Sequence, residues 1–372
     1  MRVYYTTGIP GWKVACIVLL LLMTGSVQAQ SDTQSNKIDT GINVGLAFPV
    51  STRGVNATAS TNNFSFHLLF GVSKNETAFA FAGVSNIVFG NAKGVMLAGF
   101  SNHVGGKASG EQLAGFMNIL NESEGLQLAG FLNRSKNAKG VQLAGFSNLS
   151  AGGGGELQVA GFANISKDVH TQVGGFANIG KDVNTQVAGF INVARKVKGV
   201  QIGVINISES NSTPIGLINI VKNGEMAVRI SVDEMGTVIG GFESGSKQLY
   251  GFLGVGYNGK LNKTLYALEG AIGGRFQVSD YFRINAEVAS TTLDDFKKGF
   301  FFRSSLRVFP SFRIGNRLEI FGGPTINYAY FDLASGKGMD LVNHFMWSEK
   351  SGDENYQGIY LGAMGGISLK LR

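Results

Sequence analysis

Between Gln112 and Asn219 the chain writes one phrase again and again: EQLAGFMN, LQLAGFLN, VQLAGFSN, LQVAGFAN, TQVGGFAN, TQVAGFIN, VQIGVIN, PIGLIN. The asparagine that ends each phrase falls at Asn86, Asn102, Asn118, Asn133, Asn148, Asn164, Asn178, Asn192, Asn206 and Asn219, in steps of 16, 16, 15, 15, 16, 14, 14, 14 and 13. From Gln112 to Asn192 the Asn of each phrase stands six positions after its Gln, so the length variation falls in the Gly-, Lys-, Asp- and Ser-rich remainder. The phrase is therefore the structured part and the remainder a turn. No unit carries a helical period; each offers a short β-compatible run and then turn residues. A unit of this size cannot bury a face alone, whereas stacked copies can.

The spacing predicts a β-solenoid in which like positions lie over like. Phe100, Phe116, Phe131, Phe146, Phe162, Phe176 and Phe190 form one expected column, each buried at a gain of roughly 1.5–3 kcal/mol. The asparagines, from Asn102, Asn118, Asn133, Asn148, Asn164, Asn178 to Asn192, form a second column in which the amide of one coil bonds the next. An unpaired buried amide costs about 1–3 kcal/mol, and a column removes that cost. Val204 and Leu217 stand in the phenylalanine position of the last units, and Pro214 suits a closing coil. The rival is a meander of ten-residue strands that would merge with the rest of the chain in one large antiparallel barrel. Its turns would all be alike, whereas membrane barrels alternate short and long ends.

Composition changes near Glu225. Beyond residue 29 no tyrosine precedes Tyr250, and eight follow from there. Strict alternation now covers long segments: 226–232, 237–243, 249–261, 265–278, 281–290, 299–314, 318–331 and 358–371. One face is apolar with aromatic ends. The other holds Glu269, Arg275, Arg283, Glu287, Arg303, Arg307 and Arg313. Lipid outside and paired charges inside give this pattern, that of an eight-stranded transmembrane barrel. The turns at Ser279-Asp280 and at 315–317 are tight, and 291–298 and 332–357 are long, so the short turns are assigned to the periplasm. An interior of this size is filled by side chains.

Residues 1–29 read as a secretory signal: Arg2 and Lys13, an apolar run over 14–23, and Val27-Gln28-Ala29 as cleavage site. Cys16, the chain's one cysteine, falls inside it, so the remainder has neither disulfide nor thiolate. Without the leader the formal charge drops from +7 to +5, spread over turns, which excludes a dense nucleic-acid-binding face. Residues 30–80 hold two further strand-like runs, at 41–50 and 64–72, expected to cap the array or to add an edge to the barrel. The expected organisation is thus 1–29 signal, 30–80 strands or cap, 81–224 array and 225–372 barrel.

Chemistry-bearing motifs are weak. The glycines of 254–259 satisfy G-x-G-x-x-G, but a strand and not a helix follows, so no dinucleotide is implied. His67, His103, His170 and His344 lie far apart, without metal-ligand spacing. Residues 151–158 are glycine-rich without an aspartate ladder, which points away from a calcium roll. No cofactor, metal or catalytic set is expected. Phe345 and Trp347, beside Asp340, Glu349, Asp353 and Glu354 in the long loop, are candidate partner anchors.

The LAGFSN and GVQIGVIN phrases resemble an uncharacterised bacterial surface-repeat family, and the segment after Glu225 is similar to small outer-membrane β-barrels. One departure is the end of the chain at Leu371-Arg372, where such barrels often place an aromatic residue. The resemblance implies an envelope or surface location and carries no activity. The expectation is a non-catalytic structural or binding protein anchored in the outer membrane, with membrane lipid as one partner and a protein or glycan ligand as another. A channel made by a larger barrel and a secreted soluble adhesin are the alternatives.

Overall fold

In the computed structural model, the described residues are 40–260, 265–296, 300–332, 341–342, 344–351 and 355–371. The expected signal, with Cys16, lies outside them, as do Asp340, Asp353 and Glu354. The chain is nearly all β: a solenoid of about 11 turns followed by a closed eight-stranded antiparallel barrel. The large barrel that would absorb the repeats is not formed, because the repeat strands pair parallel, coil over coil.

Most coils have two short strands, while in Ser101–Ala114, Met117–Ala129 and Leu132–Ala144 the two segments run on as one long strand. One carries the glutamine and the other the asparagine, with the Gly-Phe bend at one edge and the charged turn at the other. The register is residue-perfect across most coils: Gln112, Gln127, Gln142, Gln158, Gln172, Gln186 and Gln201 lie over one another, and so do the asparagines from Asn86 to Asn219. Strands Thr40–Ala47 and Thr61–Ser73 extend this ladder at its N-terminal end, and the short strand Val50–Ser51 folds antiparallel onto the first. At the other end Pro214 pairs opposite Gln201 and stops the glutamine column; the Asn211 amide bonds Gln201 in its place at 2.7 Å.

The phenylalanine column forms but is not the core. Successive rings from Phe100 to Phe190 stack at centroid distances of 4.8–5.1 Å. Yet Phe100, Phe131, Phe146, Phe162, Phe176 and Phe190 are each 38–45% exposed. The reason is strand parity. Gln and the alanine two residues on point inward, and the residue between them points out. The chain then bends at Gly-Phe, which throws the ring off the outer edge before Asn points in again. The bend needs glycine for proximity: a Cβ on Gly145 would lie 2.0 Å from the Gly130 carbonyl oxygen of the preceding coil.

Eight antiparallel strands close the barrel: Glu225–Asp233, Thr237–Gly245, Leu249–Asn258, Leu265–Gln277, Phe282–Asp294, Phe301–Ile314, Leu318–Asp332 and Asn355–Lys370. The last pairs with the first from Ala227↔Lys370 to Asp233↔Met364. The fifth strand continues past residue 290, carrying Thr291 and Leu293 into the interior. Part of the long loop returns as a short strand, Trp347–Ser351, paired on Asn355–Ile359 beyond the end of the first strand.

The solenoid ends against the outer wall of the barrel. Leu217 packs on Gly270, where a Cβ would sit 3.1 Å from its Cδ2. The Asn219 backbone N–H donates to Ser244 Oγ at 2.9 Å. At Gly251 a Cβ would fall 2.0 Å from the Gly216 carbonyl oxygen. Gly270 shares its face with exposed Leu268 and Ile272, and Gly251 with Val255 and Tyr257.

Candidate functional site

Two polar interiors and one apolar edge are the features from which a function can be built. Inside the solenoid each asparagine is fully buried and uses its amide three ways. Asn148 Nδ2 donates to Asn164 Oδ1 of the next coil at 2.9 Å and to the Val159 carbonyl across the interior at 2.8 Å. It also lies 3.2 Å from the Gln142 carbonyl of its own coil, and its Oδ1 accepts from Asn133 at 3.0 Å. The same staple recurs at Asn102, Asn118, Asn133, Asn164, Asn178 and Asn192. The glutamines form a parallel ladder: Gln158 to Gln142 at 2.7 Å, Gln172 to Gln158 at 2.9 Å, Gln186 to Gln172 at 2.7 Å. Gln112 begins this column beside Met96, and its amide has no partner among the described residues.

Near the N-terminal end Glu76 is buried. Asn62 and Ser65 donate to its Oε1 at 3.1 and 2.8 Å. Burial pushes its carboxyl above the ordinary value of 4.5, and these hydrogen bonds pull only partly the other way. Burial likewise lowers the His67 imidazole.

In the barrel, Glu269, Arg275, Arg283, Glu287, Arg303 and Arg307 all face the interior and are buried. Arg307 binds Glu269 through both forks at 2.8 and 2.7 Å, and Thr291 adds a donor at 2.7 Å. Glu287 takes Arg229 and the Tyr250 hydroxyl, the latter at 2.8 Å. Arg275 meets Glu243 at 2.5 Å, and Arg283 meets Glu319 and Glu225 at 2.7 and 2.9 Å. Arg303 meets Asp233 at 2.7 Å. Arg313 departs from the expected interior set: it stands half-exposed at the short-turn rim, directed at the Asp280 carbonyl, because its strand ends one residue later. Arg229, Asp233, Glu243 and Glu319 also belong to the network and were not singled out from the sequence. Their signal was available, since in EMAVRISVD Arg229 and Asp233 share parity opposite Val228, Ile230 and Val232.

The half of the lumen toward the long loops is packed instead with Ile239, Phe252, Leu265, Leu293, Phe301, Phe331 and Tyr360, and buried Leu341 and Val342 join them. Phe345 belongs to this plug, with rings 5.6 Å from Tyr356 and 5.8 Å from Tyr360. The expected Phe345–Trp347 anchor is therefore divided. Phe345 is tied to the barrel mouth, and only Trp347 stands exposed, on the short added strand.

The chain matches no protein-family model, no curated protein and no solved structure. Among the described residues no three His, Asp or Glu side chains gather as a metal set. His67 and His103 sit in separate coils, His170 is exposed on the strand Asp168–Gly174 rather than in a turn, and His344 stands at the barrel mouth.

The outer surface of the solenoid is the unusual part. The residues just after the glutamines, Leu113, Leu128, Leu143, Val159, Val173, Val187 and Ile202, form an outward apolar column. The phenylalanine ridge follows at the bend. Beyond it the position after each asparagine gives Ile119, Leu149, Ile165, Ile179, Val193 and Ile207, broken by His103 and Arg134. Polar amides fill the inside of this edge and hydrocarbon covers its outside.

Proposed function

We propose that this chain is an exported envelope protein of a Gram-negative bacterium, with the barrel as its outer-membrane anchor and the solenoid as a non-catalytic scaffold. The observation that carries the reading is the barrel's polarity. Val255, Leu268, Val288, Leu306, Phe312, Ile326 and Leu361 stand exposed around its wall, while the charges inside are buried and paired. A soluble barrel of that polarity would present a continuous hydrocarbon belt to water, whereas a bilayer removes it. The lumen is occupied by Arg229, Arg303, Arg307, Tyr250, Phe252 and Tyr360, all nearly fully buried, which supports an anchor rather than a conduit. The leader-like segment 1–29 and the resemblance to surface-repeat proteins support the same location.

The test is heat-modifiability. Outer-membrane fractions of cells expressing the whole chain are washed with urea and run on a gel with and without boiling. A retained, heat-shifted band is the expected result. A protein that urea extracts and boiling does not shift would leave a soluble repeat protein and end the anchor reading.

A further inference from the structure

We propose that the solenoid lies in the plane of the bilayer, its phenylalanine edge among acyl chains and its charged edge at the headgroups on the short-turn side. This rests on the reading of the barrel as a membrane anchor.

Three observations carry it. The first is where the solenoid is attached. Strand carbonyls of a parallel solenoid point along its axis, toward the next coil. At the last coil the carbonyls of Gly216 and Leu217 point at Gly251, on the outward face of the barrel wall. The barrel wall thus takes the place of a next coil, and the solenoid axis runs outward from a surface that lipid covers. About eleven coils at the ~4.8 Å strand spacing make a rod of roughly 50 Å.

The second is which edge goes deep. Residue 224 abuts Gly245 at the short-turn end of its strand, Asn219 meets Ser244 next to it, and Leu217 reaches Gly270, midway along Leu265–Gln277. Leu217 stands in the phenylalanine column. The ridge is therefore the edge nearest the middle of the barrel wall, and the turns carrying the charges lie at its short-turn end. Residues 81–224 hold 11 Lys or Arg against 7 Asp or Glu, a balance that suits anionic headgroups.

The third is that the edge is chemically able to enter lipid. Irregular backbone is excluded from hydrocarbon unless its polar groups are paired within the protein. Here even the bend is paired. The Phe116 amide donates to the Phe100 carbonyl at 2.9 Å, Phe131 to Phe116 at 2.9 Å, Phe146 to Phe131 at 3.0 Å and Phe162 to Phe146 at 2.9 Å. From Gln142 to Gln201 and from Asn86 to Asn206 each side-chain amide donates within its ladder.

The experiment uses the full chain with Trp12 and Trp347 replaced by Phe, carrying one new tryptophan at a time. It is reconstituted in vesicles of phosphatidylethanolamine and phosphatidylglycerol with or without brominated acyl chains. Leu268→Trp reports the barrel wall, Phe146→Trp and Phe162→Trp the ridge, and Lys139→Trp the charged edge. Bromine should cut emission at least twofold at Leu268→Trp and at both ridge positions, and leave Lys139→Trp unchanged. Two ridge reporters guard against one that misfolds, with the gel shift as the folding check. Quenching at Leu268→Trp without quenching at either ridge position overturns the proposal and leaves the anchor intact. So does a ridge reporter that is shielded only as protein concentration rises, which means a second copy covers the edge. No quenching anywhere, with no gel shift, overturns the anchor reading itself and this inference with it.

Discussion

The solenoid and the barrel solve one problem in two ways. Both turn apolar side chains outward and enclose polar ones, and both must then satisfy buried polar groups without water. The solenoid uses neutral amides, and because each coil repeats the last, one asparagine can bond the next through Nδ2 and Oδ1 without end. The barrel has no translation to exploit. Its charges are matched in sets that occur once each, such as Arg307, Arg229 and Arg303 around Glu269 and Arg283 between Glu319 and Glu225. Repetition makes an interior that is extensible and locally redundant, whereas a closed ring makes one in which each group is indispensable.

The largest break in that comparison is expected inside the barrel. Glu269→Gln leaves Arg307 facing one amide oxygen and removes the charge that Arg229 and Arg303 also approach, at 3.9 and 4.0 Å. Removing one partner of a buried pair costs about 3–5 kcal/mol, so the temperature of the gel-mobility shift should fall steeply while limited proteolysis of the solenoid stays unchanged. Asn148→Ala is the counterpart in the ladder. It takes the Asn148 donor away from Asn164 Oδ1 and the Val159 carbonyl, and leaves Asn133 with its bond to the Leu143 carbonyl, at about 1–3 kcal/mol per unpaired group, and should open the array locally to protease without moving the gel shift. If instead both variants lower the same transition together, the two regions fold as one cooperative unit and the contrast collapses.

The array was legible because translation copies residues: the fixed Gln-to-Asn interval gave the coil, and the drifting remainder gave the turn. The barrel was legible from alternation, including the parity of six interior charges. What parity alone did not settle was the direction of the phenylalanines. They lie at a bend, where the inward–outward count resets, and hydrophobicity suggested a core that the Gln and Asn amides already occupied. Arg313 had correct parity but stood too close to a strand end. Phe345 was hidden by a different gap, since a loop residue reveals its partners only when the barrel mouth is assembled. The apolar outer edge could have been found by listing the residues at Gln+1, all Leu, Val or Ile from Leu97 to Ile215.

A gentler break removes one coil. Deleting residues 172–185 joins Thr171 to Gln186, which are already equivalent in register with Thr185 and Gln172. The nearest-neighbour logic of a solenoid predicts that the shortened chain still folds and still shifts on heating, with a urea midpoint close to that of the parent. Deleting the barrel hairpin of Leu265–Gln277 and Phe282–Asp294 should abolish the shift, since closure needs every strand. A solenoid lost along with its deleted coil would mean that the amide ladders are not interchangeable.

The smallest effect is expected where the solenoid departs from its own neutral rule. Glu76 places a carboxyl among the first coils, and burial holds its pKa above 4.5 in the folded chain. The folded state therefore keeps this proton more tightly than the unfolded one. Its contribution is complete below 4.5 and drains away as pH rises until Glu76 ionises in place, so this group makes the N-terminal coils less stable at pH 8 than at pH 4.5. Glu76→Gln keeps an amide oxygen for Asn62 and Ser65 and cannot ionise. Hydrogen exchange of the N-terminal coils should then show the variant level with the parent at pH 4.5 and better protected at pH 8. A difference that shrinks with rising pH would mean that the buried carboxylate is welcomed by its surroundings, and that the neutral interior is a habit of the repeats rather than a requirement.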